Sequence, residues 1–407
     1  MITDRKNQNN IETATLNYIF RKGSSTQDEL ISHLGASQPS VSRVLQNMKK
    51  RGLLEITFDK KNNLRGRKRQ IAQLSAKAGS WVGCELTSQG YDIVLIDMKS
   101  RVIGSSHGKW QSKEPAEILS QLASEIQRVH GSTLKQNPSV KGIGILIRGK
   151  ISDDTVRASN TFPEIIDYPI KKELSEKLNG TLVHVAPMGI CHMYAEIRES
   201  FEEFNNSDYP IVLIYWWKGI ILCVMTNRNI LLHGASANYP LVEYQLPPGW
   251  DFSHIVIDKD GEKCICGRKG CVEATVNSEQ MGRELRELLD LSKDDNMSDS
   301  QLIQKGVSLA ESDEEVFSNF FENKIMAILK PANTIFQLMS THKIVLGGWI
   351  FNENPWVFNK FVELTRKSLP DDLAESILFE KSKIGNDAAA LGAAELVFHT
   401  TINHYFA

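Results

Sequence analysis

The 407 residues predict an α/β protein in which a small winged helix-turn-helix precedes a larger body of alternating strands and helices. Three observations predict it. Two short amphipathic helical patterns with capping signals open the chain, and two strand-like runs follow them. Beyond residue 79, apolar runs of strand length alternate with helical periodicity, the pattern of an α/β architecture. Charge is also divided unevenly. Residues 1–75 hold fourteen Lys or Arg against six Asp or Glu, a balance of +8, and the net charge of −2 leaves −10 for the rest. A basic head on an acidic body fits a head that meets a polyanion, and a solvated basic surface gives the same arithmetic.

Composition excludes several classes. With 41% apolar and 24% charged residues, the chain is neither disordered nor collagen-like. No apolar run approaches the ~18–20 residues of a membrane span, so membrane insertion is not expected. The first residues lead into polar Asn and Gln rather than an apolar core, which makes the cytosol the expected compartment.

The head is argued element by element. Residues 11–22 place Ile11, Ala14, Leu16, Tyr18, Ile19 and Phe20 as one helix would. Thr26 with Glu29 forms a capping box, and the helix it opens stops at Gly35. Ser37 can cap the next helix, with Pro39 in its first turn. There Val41, Val44, Leu45 and Met48 make an apolar stripe that Gly52 ends. Two helices joined this way form a helix-turn-helix, and the second enters a major groove. Gln38, Ser40, Ser42, Arg43 and Gln46 lie off its apolar stripe and are the candidate DNA-reading residues, while Lys49, Lys50 and Arg51 fit phosphate contacts. Leu53–Phe58 and Gln70–Leu74 read as a hairpin whose loop carries Arg65-Gly66-Arg67-Lys68-Arg69. Arg65 and Arg67 suit a narrow minor groove, which makes this hairpin a wing.

The body follows a short linker at 76–79. Trp81–Leu86 and Tyr91–Met98 suggest a hairpin, Val102–Ser105 a third strand, and residues 114–130 a helix. Val140–Ile147 and Leu182–Val185 are further strands, and Ile211–Tyr215 with Ile220–Thr226 resemble a second hairpin. Residues 278–292 and 299–340 are largely helical, Lys343–Leu346 is a strand, and Asp387–His399 is an Ala-rich helix. Two similar hairpin starts hint at a duplicated, two-lobe design. Three of the six cysteines fall within eight residues, and His254-x9-Cys264-x-Cys266-x4-Cys271 supplies one imidazole and three thiols. That set completes a tetrahedral zinc shell with no position left for water, so the expected cofactor is a structural Zn²⁺.

The run Cys264-Ile265-Cys266-Gly267-Arg268-Lys269-Gly270-Cys271-Val272-Glu273 resembles the signature Cys-x-Cys-Gly-x-x-Gly-Cys-x-Glu of the ROK family of sugar-responsive repressors and sugar kinases. Gly142-Ile143-Gly144-Ile145 with Gly149, Ile344–Gly348 and Asn386-Asp387-Ala388 leading to Leu391-Gly392-Ala393-Ala394 are also similar, and the resemblance spans essentially the whole chain. The wing places it with the repressor branch. The resemblance implies a two-lobed, actin-like, ribonuclease-H-type ROK domain behind the winged helix. Residues 1–78 form the DNA-binding domain, 79–195 completed by about 385–407 the small lobe, and 196–384 the large lobe with the zinc site.

Departures from the family pattern bear on activity. Kinases of the family open with Asp-x-Gly-Gly-Thr, where this chain reads Cys84-Glu85-Leu86-Thr87-Ser88-Gln89-Gly90. Their second phosphate loop, Gly-Thr-Gly-x-Gly, is replaced by Trp216-Trp217-Lys218-Gly219-Ile220, and an indole cannot stand where backbone must approach phosphate. Val185-Ala186-Pro187-Met188 lies where the Asn-Asp pair carries the catalytic base, and Met188 cannot accept a hydroxyl proton. No catalytic residues and no enzyme activity are expected. The family's sugar contacts map onto Asn160, Asp251, His254 and Glu273, the candidate effector-binding residues. Asn160 as a turn cap and Glu273 as a brace of the zinc loop are the alternatives.

The expected function is a DNA-binding regulator, a repressor of carbohydrate genes acting as a homodimer or homotetramer on a palindromic double-stranded operator. A sugar or sugar-phosphate effector closing the two lobes would reset the spacing of the heads. Switching by a protein partner such as a transporter domain is the alternative, and a sugar kinase with an attached head is the less favoured one.

Overall fold

The computed structural model describes residues 11–16, 18–20, 22–58, 69–132, 139–152, 154–159, 162–199, 209–225, 230–232, 252–292, 295–384 and 388–405. The chain forms two units, Met1–Asn205 with Asp387–Ala407, and Asn206–Asn386.

The first unit begins with the head. Residues 11–16 and 18–20 are helical. Strand β1 (Ser24–Thr26), helices α1 (Gln27–Leu34) and α2 (Gln38–Lys50), and strands β2 (Leu54–Phe58) and β3 (Gln70–Leu74) follow. Both capping expectations hold. Thr26 Oγ1 accepts the Glu29 N–H at 3.3 Å while Glu29 Oε2 accepts the Thr26 N–H at 2.9 Å, and Ser37 Oγ accepts the Ser40 N–H at 3.4 Å. Gly35 closes α1 in the left-handed region at φ 58. The stripe Val41, Val44, Leu45 and Met48 is buried. The expected hairpin is β2 against β3, antiparallel, and its tip at 59–68 lies outside the described residues. Strand β1 is an addition. It pairs antiparallel with β3, making a three-stranded sheet of order β1-β3-β2.

The rest of the first unit is a five-stranded sheet with helices. Its strands are β4 (Ser80–Leu86), β5 (Gly90–Asp97), β6 (Val102–Lys109), β7 (Val140–Ile147) and β10 (Leu182–Pro187), in the order β10-β7-β4-β5-β6. A small hairpin, β8 (Lys150–Ser152) with β9 (Thr155–Ala158), stands apart from it. Strand β4 is antiparallel to β5 and parallel to β7, which is parallel to β10. Helices α3 (Pro115–Ser132), α4 (Ile170–Lys177), α5 (Met188–Glu199) and the C-terminal helix α13 (Ala388–Tyr405) complete the unit. Strand β6 runs beyond the expected end at Ser105 to Lys109, and α4 and α5 are additions to the elements expected from sequence.

Two glycines of this sheet are explained by packing. A methyl group on Gly83 would sit 1.8 Å from the Ala390 carbonyl oxygen, and one on Gly144 would sit 2.0 Å from that of Ala393. Helix α13 therefore lies directly on the backbone of β4 and β7. Its far side serves the head. Ala394, Val397 and Phe398 join Leu16, Ile19, Leu30, Val44 and Met48 in one hydrophobic core. Phe20 packs on Phe398 at 4.8 Å, and the Trp81 indole N–H donates to Thr401 Oγ1 at 2.6 Å.

The second unit repeats the sheet plan. Strands β11 (Ile211–Trp216), β12 (Ile220–Met225), β13 (Ile230–Leu232), β14 (Lys343–Gly347) and β15 (Leu378–Lys381) order as β13-β12-β11-β14-β15. In both units the first two strands form a hairpin and the fourth and fifth run parallel to the first. The core is filled from helices α6 (Val272–Val276), α7 (Ser278–Leu288), α8 (Asp299–Glu311), α9 (Glu315–Leu338), α10 (Trp349–Glu353), α11 (Pro355–Ser368) and α12 (Asp371–Ser376). The helical stretch expected at 299–340 divides at 312–314, where Asp313 takes a left-handed φ of 60. Among the described residues, no helix is long and apolar enough to cross a membrane.

Candidate functional site

The head presents a reading face. On α2, Gln38, Arg43 and Gln46 are exposed and Ser42 is half-buried. Ser40 has a second task, since its hydroxyl lies 2.9 Å from that of Ser37 within the N-cap. Lys49 and Lys50 are exposed at the end of the helix. Arg51, expected among the phosphate contacts, pairs with the buried Glu12 and braces the head. Arg65 and Arg67 lie outside the described residues. Arg69 is a residue of this face that the sequence pattern does not single out. Arg69 donates to Thr26 Oγ1 at 3.2 Å, and with Gln27, Asp28, Gln38, Pro39, Ser42 and Gln70 it lines an open groove of about 590 Å³. The basic run 65–69 carried that signal, but the pairing of β3 with β1 decides which residue faces α1.

In the second unit, His254, Cys264, Cys266 and Cys271 place their ligating atoms within 4.8 Å of one another. Cys264 Sγ is 3.4 Å from His254 Nδ1, and Cys266 Sγ is 3.6 Å from Cys271 Sγ. All six cysteines of the chain are free thiols. Zinc–thiolate bonds of ~2.3 Å set tetrahedral S···S edges near 3.8 Å, so the spacing fits one ion better than it fits a disulfide. The loop is built to converge. Gly267 and Gly270 take φ of 89 and 64, and a methyl group on Gly270 would lie 1.3 Å from the Asp258 carbonyl oxygen. Burial raises the Cys264 thiol and pushes Cys271 up to about 12. At Cys266 burial acts the same way, but hydrogen bonds from Arg268 outweigh it and bring the thiol down to about 7.

The effector candidates divide. Asn160 and Asp251 lie outside the described residues. His254 turns Nδ1 toward the cysteines. Glu273, two residues beyond Cys271, accepts the Ile220 N–H on Oε2 at 3.0 Å. A methyl group on Gly219 would lie 2.4 Å from Glu273 Oε1, so the β11–β12 turn sits against this carboxylate. Trp216 is fully buried in that turn's approach, its indole N–H donating to the Val276 carbonyl at 2.9 Å and its ring edge-on to Phe351. Met188 is the half-buried first residue of α5, and its carbonyl lies 2.9 Å from His192 Nδ1.

Comparison with known proteins adds family information. Residues 250–400 match the model of the ROK family, and residues 9–62 match that of the MarR family. The chain is 22% identical over 391 residues to the xylose repressor of Bacillus subtilis (strain 168), covering 96% of this chain and 94% of that one. Among solved structures it is similar to a ROK family transcriptional regulator, a homologue of the E. coli MLC protein. That match has a TM-score of 0.76 and 16% identity, and it covers 97% of this chain and 98% of the other. A ROK hexokinase from Thermus thermophilus matches at TM-score 0.63 and 17% identity over 78% of this chain and 98% of the other. The hexokinase therefore matches the body's fold but a smaller share of the chain.

Proposed function

From a chain that joins a MarR-type winged helix to a ROK family domain, we propose a sugar-responsive transcriptional repressor that has lost phosphoryl transfer. The observation that carries the reading is the head itself, whose α2 exposes Gln38, Arg43 and Gln46 on the side away from its buried stripe. A helix so placed reads base edges, and the flanking Lys49 and Lys50 supply salt-dependent phosphate affinity. The proposed target is a palindromic operator bound by a homodimer or homotetramer, a mode that helix-turn-helix proteins use, with Arg65 and Arg67 as the proposed minor-groove contacts.

Loss of kinase activity is supported by chemistry at two places. Met188 offers no base for a sugar hydroxyl, and Trp216-Trp217-Lys218 stand in the sequence where the family's second phosphate loop carries glycines. His254, Cys264, Cys266 and Cys271 would hold a zinc ion whose role is to cross-link the loop, since four protein ligands leave no open position. Asn160, Asp251, His254 and Glu273 remain the proposed effector contacts, Glu273 also bracing the β11–β12 turn. An effector of the sugar class is supported by the full-length similarity to a xylose repressor.

The test is recovery and sequencing of genomic fragments bound by the purified protein at physiological salt, repeated with added sugars. A few palindromic sites released by one sugar are expected. Uniform weak recovery that salt abolishes would overturn the reading, and ADP release with a hexose would overturn the loss of catalysis.

A further inference from the structure

The four ligating residues of the second unit are not equally sheltered. Cys264 and Cys271 are buried and His254 is half-buried, whereas Cys266 is exposed. Of the six cysteines in the chain, it alone is exposed. It stands in the exposed run Ile265–Lys269, which ends in Arg268 and Lys269. Arg268 hydrogen-bonds the Cys266 sulfur through both its backbone N–H and its guanidinium. Cys266 Sγ also lies 3.6 Å from Cys271 Sγ, while Cys264 Sγ keeps His254 Nδ1 at 3.4 Å.

A ligand set that only ties a loop together works as well with every sulfur buried. A thiolate reached by solvent beside a cation is the reactive kind, and a second sulfur within reach turns its first oxidation into a disulfide. Cys266 combines the two features. From 3.6 Å the sulfurs must close to the ~2.05 Å of a disulfide. Cys266 is the partner with room to turn, since Gly267 follows it at φ 89 and a methyl group there would meet nothing within 4 Å.

We propose that Cys266 is a modification site for hydroperoxides, with Cys271 as the sulfur that resolves it. The Cys266 thiolate attacks one oxygen of hydrogen peroxide, the O–O bond breaks, hydroxide leaves, and Cys266 becomes a sulfenic acid. The Arg268 guanidinium beside it can donate to the departing hydroxide. The Cys271 thiolate then attacks the Cys266 sulfur, and the S–O bond breaks as the S–S bond forms, releasing a second hydroxide. Each sulfur gives one electron, and the peroxide takes both. The bond removes two of four ligands, and His254 with Cys264 is half a shell. The effect reaches past the loop, because Cys271 directly precedes α6, whose Glu273 accepts the Ile220 N–H at 3.0 Å. Oxidation thus loosens the brace of the β11–β12 turn. The inference rests on the reading that these four residues hold zinc.

The experiment treats the full-length, zinc-loaded protein with graded hydrogen peroxide. Zinc release is followed with a chromogenic chelator, and the cysteines by peptide mass spectrometry before and after reduction. Met326, 41% exposed on α9, is the internal standard for oxidant access. Stoichiometric zinc release with a Cys266–Cys271 disulfide is expected before half of Met326 becomes sulfoxide. The melting temperature should fall with it, and thiol reductant with added zinc should restore it. Cys266→His keeps a fourth ligand and removes the attacked sulfur, so it should retain its zinc at the same dose. Zinc held in wild type while Met326 is fully oxidised overturns the proposal, as does a disulfide joining any other pair. Equal release from loaded Cys266→His overturns it too, and the wild-type mapping decides if that variant does not fold. A wild-type protein that takes up no zinc would sink the zinc reading, whereas a loaded one that resists peroxide sinks this inference alone.

Discussion

Single side chains set the two chemistries assigned to this chain. Arg43 is exposed on α2 and makes no contribution to the head's buried stripe. Arg43→Ala should weaken operator binding by about 1–3 kcal/mol and leave the melting temperature unchanged. An unchanged affinity in a fluorescence titration would remove it from the interface. Cys266→Ser breaks the ligand set, and elemental analysis of the purified variant should find the metal gone with a lowered melting temperature. Protons compete for the same sulfurs. With Cys271 held up at about 12 and Cys264 also raised, metal binding must displace protons, so retention should fall as pH falls. A metal content independent of pH down to mild acid would contradict a thiolate site. The cluster was legible in the sequence because three of its ligands are confined to eight residues. The ion pair between Glu85 and Arg148 was not, because 63 positions separate two residues that only strand pairing brings together.

At the scale of elements, legibility followed the range of the interactions that define them. The capping box of α1 is complete within four residues, and Thr26 and Glu29 announced it directly. Thr26→Ala should cost about 1 kcal/mol, measurable by denaturant unfolding, and it also removes the acceptor of Arg69. Strand β1 escaped detection because three residues carry no periodicity and their partners, Ile71 to Gln73, lie far along the chain. Strand β15 was equally silent, with Leu378 exposed and Phe379 and Glu380 only half-buried. Gly144 was readable as part of a motif, but its reason, like that of Gly83, is the approach of α13. Gly144→Ala drives a methyl group against the Ala393 carbonyl oxygen, and overpacking of this kind costs about 1–3 kcal/mol or more. A variant as stable as wild type would mean that the helix can lift without penalty.

For the whole molecule, the two units share one strand order, 3-2-1-4-5 in their own sequence. The duplicated design that two similar hairpins only hinted at is thus fully present in the topology. Acid should test the first unit through His192, whose burial brings it down to about 4. The unfolded chain takes up that proton near pH 6.5, whereas the folded chain resists it. Stability is therefore intact above pH 6.5 and declines by about 3 kcal/mol by pH 4, where the loss levels off. His192→Gln should flatten that part of the profile in urea unfolding, and an unaltered slope would assign the acid sensitivity elsewhere.

Helix α13 gives the molecule a safeguard in its own synthesis. The head is synthesised before the body, yet Ala394, Val397 and Phe398 of its core follow the body in chain order. A nascent chain, or a product of premature termination, carries a DNA-reading helix without the packing that holds it in shape. Expressed alone, residues 1–78 should melt well below the full-length protein and bind operator poorly, and tight binding by that fragment would show the head to be self-sufficient. Copies that stop short of α13 would then be poor competitors for an operator.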